Sequence, residues 1–466
     1  MSAASFSPDR ASTLDPGVRN PLQSLRRKHL GGRPRPTVSL LTATSIVVAN
    51  MIGTGVFTSL GYQVADLSSA FVILCLWVIG GVVALGGALS YAELAAALPR
   101  SGGEYHFLAR IFHPALGFLA GWTSATVGFA APIALAAIAF GTYAQGIFPS
   151  LSPLLLSLIV VWGTSAIHFT GLRRGGKFQD WTTLLKVALI VVFIAAGFLV
   201  HVTPGVSFLP ARHDLRLMTG SSFAISLVFV MYAYSGWNAS TYIVNEIRDP
   251  ERNVPRSVCF GTLAVLILYV ALNAAFLRTT PMPALAGKVE VGLIAGQQIF
   301  GEAGGKFVAA LICLGLISTI SSMVWIGPRV TVAMGEDLPG LSLLAIKTMN
   351  GTPRVALVLQ ALITTVLLAG RFDSVVDYIQ VQLLLFSTLT VLGLIVLRIR
   401  EPALARPYRT WGYPFTPILF LIVSAIMIFY LVRLKPWQSL EGLGTILIGF
   451  GVYLLTGGKT VRRKHL

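Results

Sequence analysis

Twelve long apolar runs fill this chain between residues 39 and 456. They lie at approximately 39–60, 69–98, 115–148, 151–169, 181–200, 221–243, 257–276, 306–334, 355–369, 375–397, 414–434 and 441–456. A helix needs about 20 apolar residues to cross a hydrocarbon core ~30 Å thick. Within that core every backbone amide and carbonyl must be satisfied by the protein itself, which leaves only helices and closed barrels. Barrel strands are alternating segments of ~10 residues, whereas these runs are continuous. The expected fold class is therefore an all-α polytopic membrane protein with 12 transmembrane helices. Only 11% of the residues are charged, against about 25% in soluble domains. A water-soluble enzyme is excluded on that ground, and the high apolar content excludes a disordered chain. Runs two, three and eight are long enough to imply tilt or protruding ends, and runs nine and twelve are the shortest.

Residues 1–36 are polar, are interrupted by Pro8, Pro16, Pro21, Pro34 and Pro36, and lack the apolar stretch of a signal peptide. They read as an uncleaved, disordered tail. Its basic run, Arg26, Arg27, Lys28, Arg33 and Arg35, is open to two readings, a topology signal or contact with anionic lipid. With the tail in the cytoplasm, its side of the bilayer holds 26 of the 35 lysines and arginines and the other side holds 8, Lys186 lying within a span. The asymmetry places both termini in the cytoplasm of a cell-membrane protein. It also accounts for the net charge of +17, so no nucleic-acid partner is needed. Cys75, Cys259 and Cys313 sit in apolar runs without metal spacing, and the seven histidines are scattered with no HxxxH pair. No metal or cofactor is expected. A membrane-embedded enzyme would need clustered acid–base or metal-binding groups at span ends, and a nucleotide-driven pump would need a phosphate-binding loop; neither pattern occurs.

Two of the runs carry a break. The first reads SLLTATSIVVANMIGTGVFTSL from Ser39, with Gly53 and Gly55 flanking Thr54 at its middle. The sixth reads SSFAISLVFVMYAYSGWNASTYIV from Ser221, with Ser235, Gly236, Trp237 and Asn238 as the break. Glycine costs about 1 kcal/mol per helix position relative to alanine. Matched interruptions in two halves of a membrane protein point to an inverted-repeat transporter with its site at the midplane. Unwinding frees amides near Thr54 to Phe57, which suit a carboxylate, and carbonyls near Tyr232 to Tyr234, which suit an ammonium. An α-amino acid carries both groups on one carbon. Small residues also let membrane helices pack closely, so the spacing alone leaves a packing role open.

Four segments carry a resemblance. IGTGVF at 52–57 resembles the helix 1 signature of the amino acid–polyamine–organocation superfamily. SYAELAAALPRSGGEYHFLAR at 90–110 is similar to the end of its helix 2 and the loop that follows. YAYSGWNASTYIVNEIRDPERNVPRS at 232–257 looks like helix 6 and its loop in the L-type amino acid transporter branch and its bacterial relatives, and RPYRTWGYP at 406–414 matches the loop before helix 11. The branch usually has two acids where this chain has Asn245 and Glu246. The 146–153 loop lacks the cysteine that links heteromeric members to a glycoprotein, so no disulfide-linked heavy subunit is expected. The resemblance implies a five-plus-five inverted repeat with broken helices 1 and 6 and two peripheral helices. The corresponding divisions are a tail at 1–36, repeats at 37–205 and 206–400, and helices 11 and 12 with a basic C-terminus at 401–466.

The resemblance also implies roles. The backbone at Gly53, Thr54 and Gly55 receives the substrate carboxylate. Carbonyls near Ile52, Tyr232, Ala233 and Ser235 receive the amino group, beside Gly236. Tyr232 corresponds to an aromatic residue that closes over substrate, packing being the alternative. Lys186 matches a lysine whose ammonium replaces a sodium ion between helices 1 and 8 in sodium-independent members. Its plain alternative is snorkelling, since it lies only ~9 Å into its helix. Glu93, in the YAEL pattern, is a structural acid at the cytoplasmic gate or an ordinary interface carboxylate. Trp237 and Asn273 are gate or structural positions, interhelical hydrogen bonding being the simpler role for Asn273. The function expected is secondary transport of neutral L-amino acids by alternating access, sodium-independent, with exchange and proton coupling both open. The neutral preference rests on finding no acid where a cationic side chain would end, the alternative being that Glu93 or an acid from a tilted loop reaches the cavity. A cationic amino acid or polyamine transporter of the same fold is the alternative, and a sensor or channel on that fold is a further one.

Overall fold

The computed structural model describes residues 38–170, 172–200, 206–348, 351–370 and 372–456. The basic tail at 1–36 and the last ten residues lie outside them. Among the described residues nine helical stretches are long and apolar enough to cross a membrane, and Pro153–Phe169 and Arg354–Leu367 are shorter apolar helices. The helices used below are α1 (Leu40–Met51), α2 (Gly55–Asp66), α3 (Ala70–Ala97), α4 (Glu104–Ile111), α5 (Pro114–Thr123), α6 (Ala130–Gln145), α7 (Pro153–Phe169), α8 (Leu172–Leu199), α9 (Ser221–Tyr234), α10 (Pro250–Thr279), α11 (Val291–Asp337), α12 (Arg354–Leu367), α13 (Phe372–Arg400), α14 (Phe415–Leu434) and α15 (Pro436–Leu455).

Local chemistry sets several starts. Ser39 caps α1 by accepting from the Thr42 amide at 3.1 Å, and Ser69 caps α3 by accepting from Val72 at 3.3 Å. Pro153 opens α7 behind Ser152, which accepts from Leu155 at 3.2 Å. Each satisfies one of the amides that a helix start leaves without an intrahelical partner.

The central helices are α1, α2, α3, α9, α10 and α11. α3 lies along α10, α1 packs on α10 and α8, and α11 packs on α6 and α8. α3 is apolar all round: one side packs into the bundle, with Trp77 and Tyr91 fully buried, and Val78 and Val82 stay exposed. Polar contacts join the helices where burial would otherwise leave orphans. Trp77 Nε1 donates to Gln63 Oε1 at 2.9 Å, and Tyr234 Oη donates to the Trp77 carbonyl at 3.0 Å. α14 and α15 keep Phe415, Ile422, Phe429, Leu447 and Leu455 exposed, as helices facing lipid would.

Three features depart from the expected runs. The eighth run, expected from 306, is preceded by helix from Val291, and the backbone turns left-handed at Gly301 (φ 75°) between the two parts. The third run contains a π-helical turn over Ser124–Gly128 between α5 and α6. The twelfth helix starts at Pro436 rather than 441; its first turn is polar and escapes a search for apolar runs.

Candidate functional site

The two breaks face one another. α1 ends at Met51 and the chain resumes helix at Gly55. α9 ends at Tyr234, turns through Gly236 at φ 99°, and continues as a 3-10 segment over Ala239–Glu246. A Cβ on Gly55 would lie 2.5 Å from Ala233 Cα. A Cβ on Gly236 would strike the Asn50 side chain, and its positive φ is disfavoured for any L side chain. Close packing therefore marks both glycines, and of the two the left-handed turn falls at Gly236.

Lys186 reaches the first break from α8. It is buried, and its Nζ donates to the Ile52 carbonyl at 2.6 Å, to Thr319 Oγ1 at 2.7 Å and to the Ala49 carbonyl at 3.2 Å. All three ammonium donors are used, so the side chain does not snorkel. The ammonium sits against the carbonyl end of α1, where the helix dipole favours positive charge. Thr319 Oγ1 also lies 2.7 Å from the Ile52 carbonyl. Ile52 oxygen thus has two protein partners and no lone pair left for a substrate amine, unlike the role that the resemblance gives it.

At the opposite side of the break some amides have backbone partners and others, among the described residues, do not. Gly53 and Phe57 donate to the Met51 and Thr54 carbonyls at 2.8 and 2.9 Å. Among the described residues the amides of Thr54, Gly55 and Val56 make no backbone hydrogen bond. They open α2 and form a ready anion site. Across the gap, the Tyr232 carbonyl accepts from the Ser235 amide at 3.0 Å and from Ser235 Oγ at 2.7 Å. Tyr232 Oη and Thr54 Oγ1 are 3.3 Å apart and close the space between the breaks. The cavity beneath, lined by Gly53, Thr54, Gly55, Tyr232, Ala233 and Ser235, has a volume of about 20 Å³. That is room for one water, and Tyr232 forms part of its wall.

A second cavity of about 80 Å³ adjoins it through shared wall residues Asn50, Pro132, Ser235 and Met323. Gly236 and Trp237 line it. Trp237 is buried against Tyr91 and Phe420, with ring centroids 4.7 and 6.2 Å away. Glu104 also lines this cavity. Burial pushes its carboxyl up to about 7, against the lowering effect of the hydrogen bond from Tyr91. Glu104 is thus an acid from beyond a loop that lines a cavity beside the breaks, the alternative that the sequence leaves open. Glu104 follows α3 in sequence by only a short loop, and that loop folds back under the second break.

Glu93 is away from both cavities. It accepts from Arg398 at 2.6 and 2.8 Å and from the Thr410 amide at 2.7 Å, fastening α3 to α13 and the 401–413 loop. Asn273 Nδ2 donates to the Tyr269 carbonyl in its own helix at 2.8 Å and lines neither cavity. Two residues with no expected role join the breaks. Tyr269 Oη lies 2.6 Å from the Met51 carbonyl and 3.0 Å from that of Ala233. Asn50 Nδ2 donates to the Gly236 carbonyl at 3.3 Å while its Oδ1 accepts from Ser322 at 3.2 Å. Their only sequence signal is a polar group in an apolar run.

One end of the bundle is sealed. Asp337 of α11 accepts from Arg100 at 2.7 Å and from Tyr105 Oη at 2.8 Å. Glu246 accepts from Arg329 at 2.9 Å and from Trp325 Nε1 at 3.1 Å. Thr42 of α1 donates to Asp180 of α8 at 3.1 Å. Thr42 belongs to the helix before the first break and Glu246 to the segment after the second, while Asp337 ties α11 to α4 and the loop before it.

The amino acid permease family matches residues 38–450. The chain belongs to this family. Within it, the chain is 28% identical to the b(0,+)-type amino acid transporter 1 of Mus musculus, over 90% of this chain and 87% of that protein. It is 26% identical to the cystine/glutamate transporter of Homo sapiens, over 95% and 90%. The Asc-type amino acid transporter 1 of Mus musculus is 27% identical, over 90% and 80%. This permease thus lies in the L-type branch of the amino acid–polyamine–organocation superfamily, and both breaks fall within the matched span.

Proposed function

We propose that this permease is a sodium-independent secondary transporter of free α-amino acids, working by alternating access in the cell membrane. The observation that carries the reading is the Lys186 ammonium held 2.6 Å from the Ile52 carbonyl. A fixed cation there ties α8 and α11 to the broken helix, a task a bound sodium ion would otherwise perform. The amides at Thr54 to Val56, which make no backbone hydrogen bond among the described residues, would take the carboxylate, and at the carbonyl end of α9 the Ala233 oxygen, with Tyr269 as its one side-chain donor among the described residues, would take the amine. Twelve crossings in two inverted five-helix repeats, with α14 and α15 outside them, give each half one broken helix. The sealed end, which carries α4, would then be the cytoplasmic one.

Neutral amino acids are the proposed substrates. Glu104 in the second cavity favours a second reading, in which cationic amino acids are carried too. In proteoliposomes, free L-amino acids should compete with radiolabelled leucine, and their methyl esters and N-acetyl forms should not. Equal competition by the blocked forms would remove the backbone-recognition reading.

A further inference from the structure

Glu104 is a buried carboxyl whose part in the second reading above can be taken further. It is the first residue of α4, launched by the turn at Gly102 and Gly103, with φ 119° and 53°. That turn directs it inward, and it is 4% exposed. Tyr91 Oη of α3 donates to its Oε1 at 2.5 Å, and Asn238 Nδ2, beside the second break, donates to the same oxygen at 3.5 Å. Among the described residues no side chain donates to Oε2 and no lysine or arginine pairs with the carboxyl. The nearby basic groups are spent elsewhere, Arg100 on Asp337 and Arg329 on Glu246.

The surroundings are otherwise uncharged. The titratable groups facing Glu104 are the phenols of Tyr91 from α3 and Tyr242 from the 239–246 segment. The π turn contributes Ser124 and α13 contributes Ser387 to the same cavity, and Thr390 of α13 bonds to Tyr91. All of these are neutral at physiological pH. An ionised carboxylate in such a place is costly unless a cation joins it.

We propose that Glu104 is the cation subsite of the transport cavity, holding either a proton or the positively charged end of the substrate side chain, so that its occupancy selects between neutral and cationic amino acids. The inference rests on the transport reading above. With a neutral amino acid, a proton from solution sits on the carboxyl and crosses with the substrate. With arginine or lysine, the carboxyl is ionised and the guanidinium or ammonium takes the proton's place. Either loaded form leaves the cavity with its carboxylate compensated, and each moves one positive charge. Exchange of arginine for leucine would then carry one proton against the arginine and no net charge. A carboxyl poised near pH 7 makes both forms accessible.

The test is uptake of radiolabelled leucine and arginine into proteoliposomes from about pH 5.5 to about pH 8.5, with a pH-sensitive dye inside, using wild type, Glu104→Gln and Tyr91→Phe. In wild type, leucine uptake should rise and the KM for arginine should worsen about tenfold per unit as pH falls below the carboxyl's pKa. Leucine uptake should acidify the lumen. Glu104→Gln should raise the arginine KM about tenfold or more and flatten the leucine pH profile. Should that variant not purify as a monodisperse species, Tyr91→Phe decides. It removes a donor that favours the carboxylate, and so should move the crossover to higher pH. An arginine KM and leucine pH profile unchanged in Glu104→Gln, or an unshifted crossover in Tyr91→Phe, overturns the proposal. Wild type that carries leucine without any pH dependence and ignores arginine overturns this inference alone. Wild type that carries no amino acid overturns the transport reading beneath it.

Discussion

Lys186 shows what a single residue contributes that its sequence position does not disclose. A lysine six residues into an apolar run has two outlets, the interface or a partner. The partner is 134 residues earlier in the chain, at the Ile52 carbonyl. Charge-assisted hydrogen bonds contribute about 1.5–3 kcal/mol each. Lys186→Ala removes the cation while leaving the Ile52 and Ala49 carbonyls buried and short of a donor. Uptake should fall about 10- to 100-fold on that scale, with expression and monodispersity near wild type. Wild-type uptake should be the same in sodium and choline buffers. Normal uptake by Lys186→Ala, or sodium-dependent uptake by wild type, would strip the residue of its ion-like role. Tyr232 belongs to the same scale, since its hydroxyl and that of Thr54 close the small cavity between the breaks.

At the scale of elements, the broken helices were legible because glycine and serine interrupt otherwise uniform apolar runs. The breaks fall where those residues stand, at Ile52–Thr54 and Ser235–Asn238. Gly236→Leu puts a side chain at φ 99° against Asn50, and Gly55→Leu drives one into the backbone of α9. A left-handed residue costs about 1–2 kcal/mol for an L side chain before any collision is counted. Both variants should lose substrate-dependent thermal stabilisation while still inserting into the membrane, as measured by a melting curve with and without leucine. Normal stabilisation in both would place the site elsewhere. What the sequence did not disclose is of another kind. Tyr269 and Asn50 join the two breaks from positions that read as isolated polar groups, and Glu104 reaches the cavity through a loop. Their partners lie 36 to 218 residues away for Tyr269 and 134 for the Glu104–Asn238 pair. Periodicity reports which face of a helix is apolar, and carries nothing about which distant element a polar residue meets. The π turn escaped for a related reason, since it lies inside a stretch whose hydropathy does not change, whereas the Gly301 kink lies in the polar stretch before the eighth run.

For the whole molecule, charge and packing address the same question from different directions. On the twelve-crossing topology expected from the sequence, lysine and arginine divide 26 to 8 between the two sets of loops, a bias of the kind that sets orientation during insertion. The sealed end carries α4, the 239–246 segment and the end of α11, and all three adjoin loops from the basic set. In the orientation proposed, this conformer is closed toward the cytoplasm, and opening there would part Arg100 from Asp337, Arg329 from Glu246 and Thr42 from Asp180. Arg100–Asp337 is partly exposed, and exposed ion pairs contribute about 0–1 kcal/mol, whereas Arg329 is buried and parting it from Glu246 leaves a charge without its partner, so that pair is the stronger part of the seal. The orientation itself is open to a direct check. Ser207 and Ala403 are exposed and lie in loops predicted to face opposite sides. In intact cells a membrane-impermeant maleimide should label Ser207→Cys, and should label Ala403→Cys only after the membrane is permeabilised. The unsubstituted protein is the control, because Cys75, Cys259 and Cys313 lie within helices. The reverse pattern would turn the molecule over and make the sealed end the outer gate, in which case Glu104 would meet protons and cationic substrates first from inside the cell.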